Sequence, residues 1–135
     1  MSFIPLLNTP ISKAKVRELS PLALAYIGDS VHTLYVRQTL AIITGMKPSS
    51  LHKKVTNLVK ASAQAEKMQL IIPYLTEEEL EFYHHGRNAK VGTIAKHASV
   101  ADYMLATGFE TLVGYLYLTG QTNRLEELLK IGEED

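Results

Sequence analysis

Two acidic residues lie inside segments that otherwise read as apolar helices, and the first is Asp29. It follows Gly28 directly after the apolar run at residues 22–27. Glycine inside a helix costs about 1 kcal/mol relative to alanine, which favours close approach of another backbone or of a ligand. A buried carboxylate is costly unless it is paired, hydrogen-bonded or metal-bound. The pattern predicts either a ligand-binding carboxylate or, because Asp29, Thr33 and Arg37 share one helical spacing, the start of a solvated stripe.

The second acidic residue is Glu110, which has small neighbours on its own helical face. Thr107 lies about one turn before it and Gly114 about one turn after it. Small neighbours leave room for a metal ion, a phosphate or a crossing helix. A glutamate held by a lysine or arginine at a helix–helix contact remains the alternative interpretation.

Capping signals predict the helices that must position these two acids. Helix starts are predicted at Ser20-Pro21, Pro48-Ser49, the capping box Thr76-Glu77-Glu78-Glu79, Ser99 and Thr122. The corresponding ends are predicted near Ile43 (before Gly45), Leu70, Gly86, Thr119 and Ile131. No strand-like alternation is apparent, so we expect an all-α bundle that forms a single domain over residues 1–135.

The composition excludes several classes of protein. The chain has 135 residues, of which 46% are hydrophobic and 21% charged, so it is neither disordered nor of low complexity. It has no cysteine, which excludes a disulfide framework, a thiolate metal site and a cysteine nucleophile. No signal peptide is apparent, and no uncharged apolar stretch reaches about 18 residues. We therefore expect a cytoplasmic protein without a membrane span.

Charge is unevenly distributed although the formal net charge is zero, with 14 basic and 14 acidic residues. Residues 47–67 carry five lysines and one acid, and residues 84–97 carry three basic residues and three histidines without an acid. Lysine and arginine supply most of the affinity of proteins for nucleic-acid phosphates. These two segments are therefore candidate surfaces for a phosphate backbone.

The segments around the two acids resemble the signatures of the ribonuclease III catalytic domain. LALAYIGDSV is similar to its signature helix, roughly E-x-L-E-F-L-G-D-[AS]-V, and TGFETLVGYLYL to its second acidic helix, roughly D-x-x-E-A-L-I-G-A-[IL]-Y-L. The resemblance covers about residues 20–120 and is closest to the short bacterial branch, Mini-ribonuclease III. It implies the ribonuclease III helical bundle without a separate double-stranded-RNA-binding domain.

The resemblance implies that Asp29 and Glu110 are the catalytic, metal-binding residues. Three other acidic positions of the family signatures carry Leu22, Ala25 and Thr107 in this chain. Mg²⁺ can be held by one or two carboxylates together with water and substrate phosphate. The two acids therefore suffice for one Mg²⁺, for which Mn²⁺ can substitute, whereas a second ion would depend mostly on RNA phosphates and water.

The family works as a symmetric homodimer built largely on the signature helix, which implies Leu22, Tyr26 and Ile27 as interface residues. A two-fold dimer suits a duplex because each protomer can address one strand. Membership of the core alone remains the alternative for each of these residues.

Two basic features are candidate RNA contacts. The first is the predicted loop of residues 84–96, whose candidate residues are Arg87, Asn88 and Lys90. The loop's GRNAK sequence is similar to a basic loop of the family. The second is a polar ridge at helical spacing on the second predicted helix, consisting of Lys53, Asn57, Lys60, Gln64 and Lys67. An ordinary solvated face is the alternative for each of these lysines.

The resemblance implies Mg²⁺-dependent endonucleolytic hydrolysis of double-stranded RNA that leaves 5′-phosphate ends. It further implies maturation of the ends of precursor large-subunit (23S) ribosomal RNA, with a substrate-bound ribosomal protein as a candidate partner. A non-catalytic RNA-binding or assembly module on the same fold is the alternative, and a plain helical dimerisation domain would be a third reading.

Overall fold

The structure, a computed structural model, describes residues 10–89 and 99–133, and these residues form seven α-helices. The helices are α1 (Lys13–Val16), α2 (Pro21–Thr44), α3 (Pro48–Val59), α4 (Ala61–Ile71), α5 (Glu77–Arg87), α6 (Val100–Leu118) and α7 (Thr122–Leu129), and a 3₁₀ turn (Ile72–Tyr74) follows α4. Within the described ranges no strand occurs, and no helix has the length and apolarity needed to cross a membrane. The all-α prediction is confirmed.

Side-chain caps fix the starts of three predicted helices. The hydroxyl groups of Ser20 and Ser99 each accept a hydrogen bond from the backbone N–H three residues further on, at 3.1 and 3.0 Å. At the start of α5, Thr76 and Glu79 form the predicted capping box, with both reciprocal hydrogen bonds present. Gly45 ends α2 in the left-handed region, at φ 63°. These boundaries were predictable because each depends on neighbouring residues alone.

The prediction of one continuous second helix is wrong, because this part of the chain forms two helices. Lys60 has an extended backbone, with ψ 159°, and separates α3 from α4. The break lets α3 pack on α2 while α4 packs on α6. Since the axis changes at Lys60, the predicted polar ridge is not continuous, and Gln64 points inward instead of into solvent.

Two other predicted boundaries differ from the structure. Thr122 is the first residue of α7 and not its cap, because Gln121 precedes it and is held by its own backbone hydrogen bond to the Leu116 carbonyl, at 2.9 Å. The predicted loop at residues 84–96 begins as helix, since α5 continues through Arg87. Gly86 lies where α5 packs closely on α6, because a Cβ there would collide with the α6 side chain of Thr111.

The central element is α6, which packs against α2, α4 and α5. Its residues from Ala106 to Leu116 are buried apart from Glu110. A helix that is apolar on nearly every side must be surrounded by others, so the one partly accessible acid in this stretch lies where the surrounding helices leave an opening.

The crossing of α2 and α6 depends on a pair of glycines. A Cβ on Gly28 would collide with the backbone carbonyl of Glu110, and a Cβ on Gly114 would collide with the backbone carbonyl of Leu24. Backbone atoms cannot swing aside as a flexible side chain can. Both positions therefore require glycine, as the sequence indicated for Gly28, and the crossing brings Asp29 beside Glu110.

Replacing either glycine by alanine is expected to destabilise the fold. Gly28→Ala and Gly114→Ala should each lower the free energy of unfolding by about 3 kcal/mol or more, because the added methyl group forces two backbones apart. Urea unfolding followed by circular dichroism measures this. The control is Ser30→Ala, an exposed position of α2, which should change stability by less than about 0.5 kcal/mol. Alanine variants at Gly28 and Gly114 that are as stable as this control would contradict the requirement for glycine at the crossing.

Candidate active site

Asp29 and Glu110 meet where α2 crosses α6. The glycine contact holds the backbone of Gly28 against the Glu110 carbonyl. The two side-chain carboxyl groups lie within hydrogen-bonding reach of each other. Asp29 is exposed, whereas Glu110 is partly covered. The structure therefore brings together the two acids that the sequence singles out, although they are 81 positions apart in the chain.

The pKa of the Glu110 carboxyl is raised to about 9. Burial is the largest cause, and the neighbouring Asp29 carboxyl adds to it both as a hydrogen-bond partner and as a negative charge. The Gln64 side chain acts in the opposite direction, because it hydrogen-bonds the ionised form. Glu110 is thus able to keep its proton at neutral pH when no metal is bound.

Gln64 is a third member of this site, although its spacing in the sequence predicts it on the exposed polar ridge with Lys53 and Lys60. Its side chain is 3% exposed, and its amide Nε2 lies 3.1 Å from Nδ1 of His32 on α2. The available signal was the position of Gln64 on an apolar face, four residues before Met68 and seven before Ile71. The polar spacing that continues across Lys60 masks this signal in the sequence.

The remaining signature positions add no carboxylate. The hydroxyl of Thr107 donates to the backbone carbonyl of Tyr103 at 2.9 Å, and Leu22 and Ala25 have no polar side-chain atom. Among residues 10–89 and 99–133, no three acidic or histidine side chains cluster in a way that could hold a metal. Two adjacent carboxylates, one of them open to solvent, fit a hard divalent cation that completes its shell with water and substrate oxygen.

Four of the candidate RNA-binding residues are exposed. Arg87 and Asn88 lie at the end of α5. Lys53 and Lys60 are exposed. Lys90 lies outside the described residues.

Lys67 differs from the other candidate lysines. Its side chain is only 17% exposed, and its Nζ donates to the backbone carbonyl of Ile131 at 3.3 Å and to Glu133 at 3.5 Å. The ammonium group therefore ties α4 to the segment that follows α7. Its charge is already partly compensated within the chain.

The candidate interface residues sit on the same helix as Asp29. Tyr26 is 81% exposed and Leu22 is 39% exposed. Ile27 is half-buried and packs against the core of its own chain. An exposed apolar surface thus borders the acidic pair on α2.

A comparison with protein families matches residues 22–121 to the ribonuclease III domain. The match contains both acids, both crossing glycines and most of the helical bundle, and it agrees with the predicted extent of about residues 20–120. The chain therefore belongs to the ribonuclease III family, a family of RNA-cleaving hydrolases.

Individual relatives narrow this assignment. Mini-ribonuclease 3 of Enterococcus faecalis is 48% identical over 124 residues, which cover 87% of this chain and 94% of that protein. Mini-ribonuclease 3 of Clostridium tetani is 44% identical over 93% of this chain and 83% of its own length. A crystal structure of a protein from Fusobacterium nucleatum superposes with a TM-score of 0.79 at 28% identity, covering 87% of this chain and 93% of that one. The chain thus falls in the Mini-ribonuclease 3 branch, and the predicted fold is confirmed.

Removing one carboxylate is expected to stabilise the metal-free protein. Glu110→Gln should raise the free energy of unfolding by about 1–4 kcal/mol at about pH 8.5, because it replaces a partly buried acid beside another acid by a neutral isostere. The pKa of Glu110 rises from 4.5 to about 9 on folding. The wild type therefore loses stability as pH rises from about 4.5 towards 9, whereas glutamine does not titrate.

Urea unfolding in the presence of a chelator, at about pH 5 and about pH 8.5, measures this effect. The advantage of Glu110→Gln over the wild type should be small at the lower pH and larger at the higher pH. Glu66→Gln, at an exposed position of α4, is the matched control and should show no such growth. An advantage of equal size at both pH values would count against the raised pKa of Glu110.

Proposed function

We propose that this chain is a Mg²⁺-dependent endoribonuclease that cleaves double-stranded RNA. The observation that carries the proposal is the meeting of Asp29 and Glu110 at the glycine crossing, in a chain of the ribonuclease III family. Carboxylate oxygens are the protein ligands that Mg²⁺ prefers, and Mn²⁺ accepts the same ligands. Asp29 and Glu110 would hold the cation, directly or through water.

The residues of the site then have distinct tasks. A cation held by Asp29 and Glu110 would supply Lewis-acid activation of the scissile phosphate and of the attacking water, and would stabilise the leaving 3′-oxygen. Glu110 would have to be ionised to hold it, and Gln64 would hydrogen-bond the ionised carboxylate. Asp29 faces the solvent from which the RNA arrives. Attack of water on the phosphorus, with the bond to the 3′-oxygen breaking, would leave 5′-phosphate and 3′-hydroxyl ends.

A homodimer fits this activity. The exposed side chains of Tyr26 and Leu22 give α2 an apolar surface next to Asp29, and burial of such a surface against a second copy of α2 would be favourable. A two-fold arrangement places two acidic pairs against one duplex, one for each strand. Ile27 supports the interface from the core side.

The substrate surface combines shape with phosphate contacts, as duplex RNA requires. Arg87, Asn88, Lys53 and Lys60 are the exposed candidates, and Lys90 belongs with them by sequence. The proposed biological substrate is the stem formed by the ends of precursor 23S ribosomal RNA in the cytoplasm. A ribosomal protein bound to that precursor is a candidate partner.

Neutralising either acid is expected to abolish cleavage and spare binding. Asp29→Asn and Glu110→Gln should each lower kcat on a perfect RNA duplex by about 10²-fold or more, because cation-dependent activation of water is lost. Their affinity for the duplex should stay within about threefold of the wild type. Cleavage should also stop when a chelator removes Mg²⁺. The control is Glu66→Gln, which should cleave normally. Duplex binding without any cleavage by the wild type would favour the non-catalytic assembly role instead.

Arg87 is expected to contribute to duplex binding through phosphate. Arg87→Ala should weaken binding to duplexes of different sequence by a similar factor and reduce the slope of log affinity against log salt by about one. Fluorescence anisotropy at several salt concentrations measures both quantities. Lys130→Ala is the control, because this exposed lysine follows the acidic pair Glu126 and Glu127, where phosphate is repelled. An unchanged salt slope for Arg87→Ala would remove this residue from the proposed interface.

A further inference from the structure

We infer that Gln64 is a positioning residue for Glu110, and that His32 holds the Gln64 amide in place. The inference rests on the proposed function, in which Glu110 is a cation ligand. It assigns a role to two buried residues that lie outside the pair of acids, on α4 and α2.

Gln64 is buried where three helices meet. It extends from α4, its helix packs on α6, and its amide reaches His32 on α2. A buried amide is costly unless its hydrogen bonds are made. Gln64 donates one amide hydrogen to the ring of His32, and the other hydrogen of the same amide is available to the carboxylate of Glu110 beside it.

The chemistry of the groups fixes the direction of the bond to His32. An amide nitrogen can only donate, so Nε2 of Gln64 donates to Nδ1 of His32 over 3.1 Å. The imidazole must then be neutral, with its proton on Nε2. Burial, assisted by the charge of Lys67, lowers the pKa of His32 to about 4, which keeps the ring in this form at neutral pH.

His32 is itself immobilised. Its ring is 2% exposed and packs edge-on against Phe109, with 4.8 Å between the ring centroids. Phe109 directly precedes Glu110 on α6. A fixed acceptor therefore orients the Gln64 amide, and the amide is left to donate to the carboxylate of Glu110.

This arrangement corresponds to the outer support of a metal ligand. Ligating carboxylates are commonly hydrogen-bonded by neighbours that fix their orientation and favour their charged form, and loss of such a neighbour typically costs about 10- to 100-fold in metal affinity or activity. Gln64 is placed to orient Glu110 in that way, since its buried amide is held by His32 at 3.1 Å and lies beside the carboxylate. An apolar residue would fill the same space without doing so.

A structural role and a positioning role make different predictions for a pair of substitutions. Gln64→Met keeps the length of the side chain, removes both hydrogen bonds and leaves His32 without its donor, so it destabilises the fold. Adding His32→Phe removes that unpaired acceptor and keeps a ring against Phe109. Replacing both partners of a buried hydrogen bond by apolar groups restores stability more readily than replacing one. Stability should thus recover in the double variant, whereas support of Glu110 should not.

The experiment compares Gln64→Met, His32→Phe, the double variant and the wild type. It measures the melting temperature, kcat and KM on an RNA duplex, and Mn²⁺ affinity by calorimetry without RNA. Gln64→Met should lower kcat and Mn²⁺ affinity by about 10- to 100-fold each, with KM within about threefold. The double variant should regain melting temperature but keep the low kcat and weak Mn²⁺ binding. Gln69→Met, an exposed glutamine on the same helix, is the matched control and should match the wild type.

Two results would overturn the inference alone. One is a Gln64→Met variant with the kcat and Mn²⁺ affinity of the wild type, and the other is a double variant that regains kcat together with melting temperature. In both cases the wild type cleaves and Glu110→Gln does not, so the proposed function stands. A wild type that neither binds Mn²⁺ nor cleaves a duplex would overturn the proposed function and this inference with it.

Discussion

The backbone contact between α2 and α6 is the constraint on which the site depends. Gly28 and Gly114 let the two helices touch without intervening side chains. Asp29 is adjacent to the first glycine, and Glu110 lies about one helical turn before the second. The meeting of the two carboxyl groups is therefore a consequence of helix packing. A larger residue at either glycine would separate the helices and the acids together.

The acidic pair Asp29 and Glu110 lowers the stability of the fold that holds it. Burial and, to a smaller extent, the neighbouring Asp29 carboxyl group oppose the ionisation of Glu110, and its pKa of about 9 reflects this cost. The surrounding part of α6 offsets it, because Phe109, Leu112 and Leu116 are almost completely buried. A buried stretch of helix that carries one acid among apolar residues is typical of a functional site that local stability alone would not favour. A cation between the carboxylates would lower this cost.

The sequence predicts the acidic pair but not Gln64, the residue that supports Glu110. Asp29 and Glu110 stand out because each interrupts an apolar helix beside small residues, and the family resemblance joins the two segments. Gln64 escapes prediction because the polar spacing that begins at Lys53 continues across Lys60 without a local break signal. Only packing on α6 shows that α4 turns there. Local capping residues define helix ends well, whereas a bend that serves tertiary packing leaves little trace in the sequence.

The two acids are held in different ways, and under the proposed function this difference has a consequence. Glu110 is partly covered and supported by Gln64, so it defines where a cation sits. Asp29 is exposed and can adjust when a phosphate enters. With two protein carboxylates, several positions around the ion remain for water and RNA oxygen. A substrate phosphate would complete this shell, while most of the affinity for RNA would come from contacts to other phosphates. A reduced set of acids would therefore make the substrate itself part of the metal site.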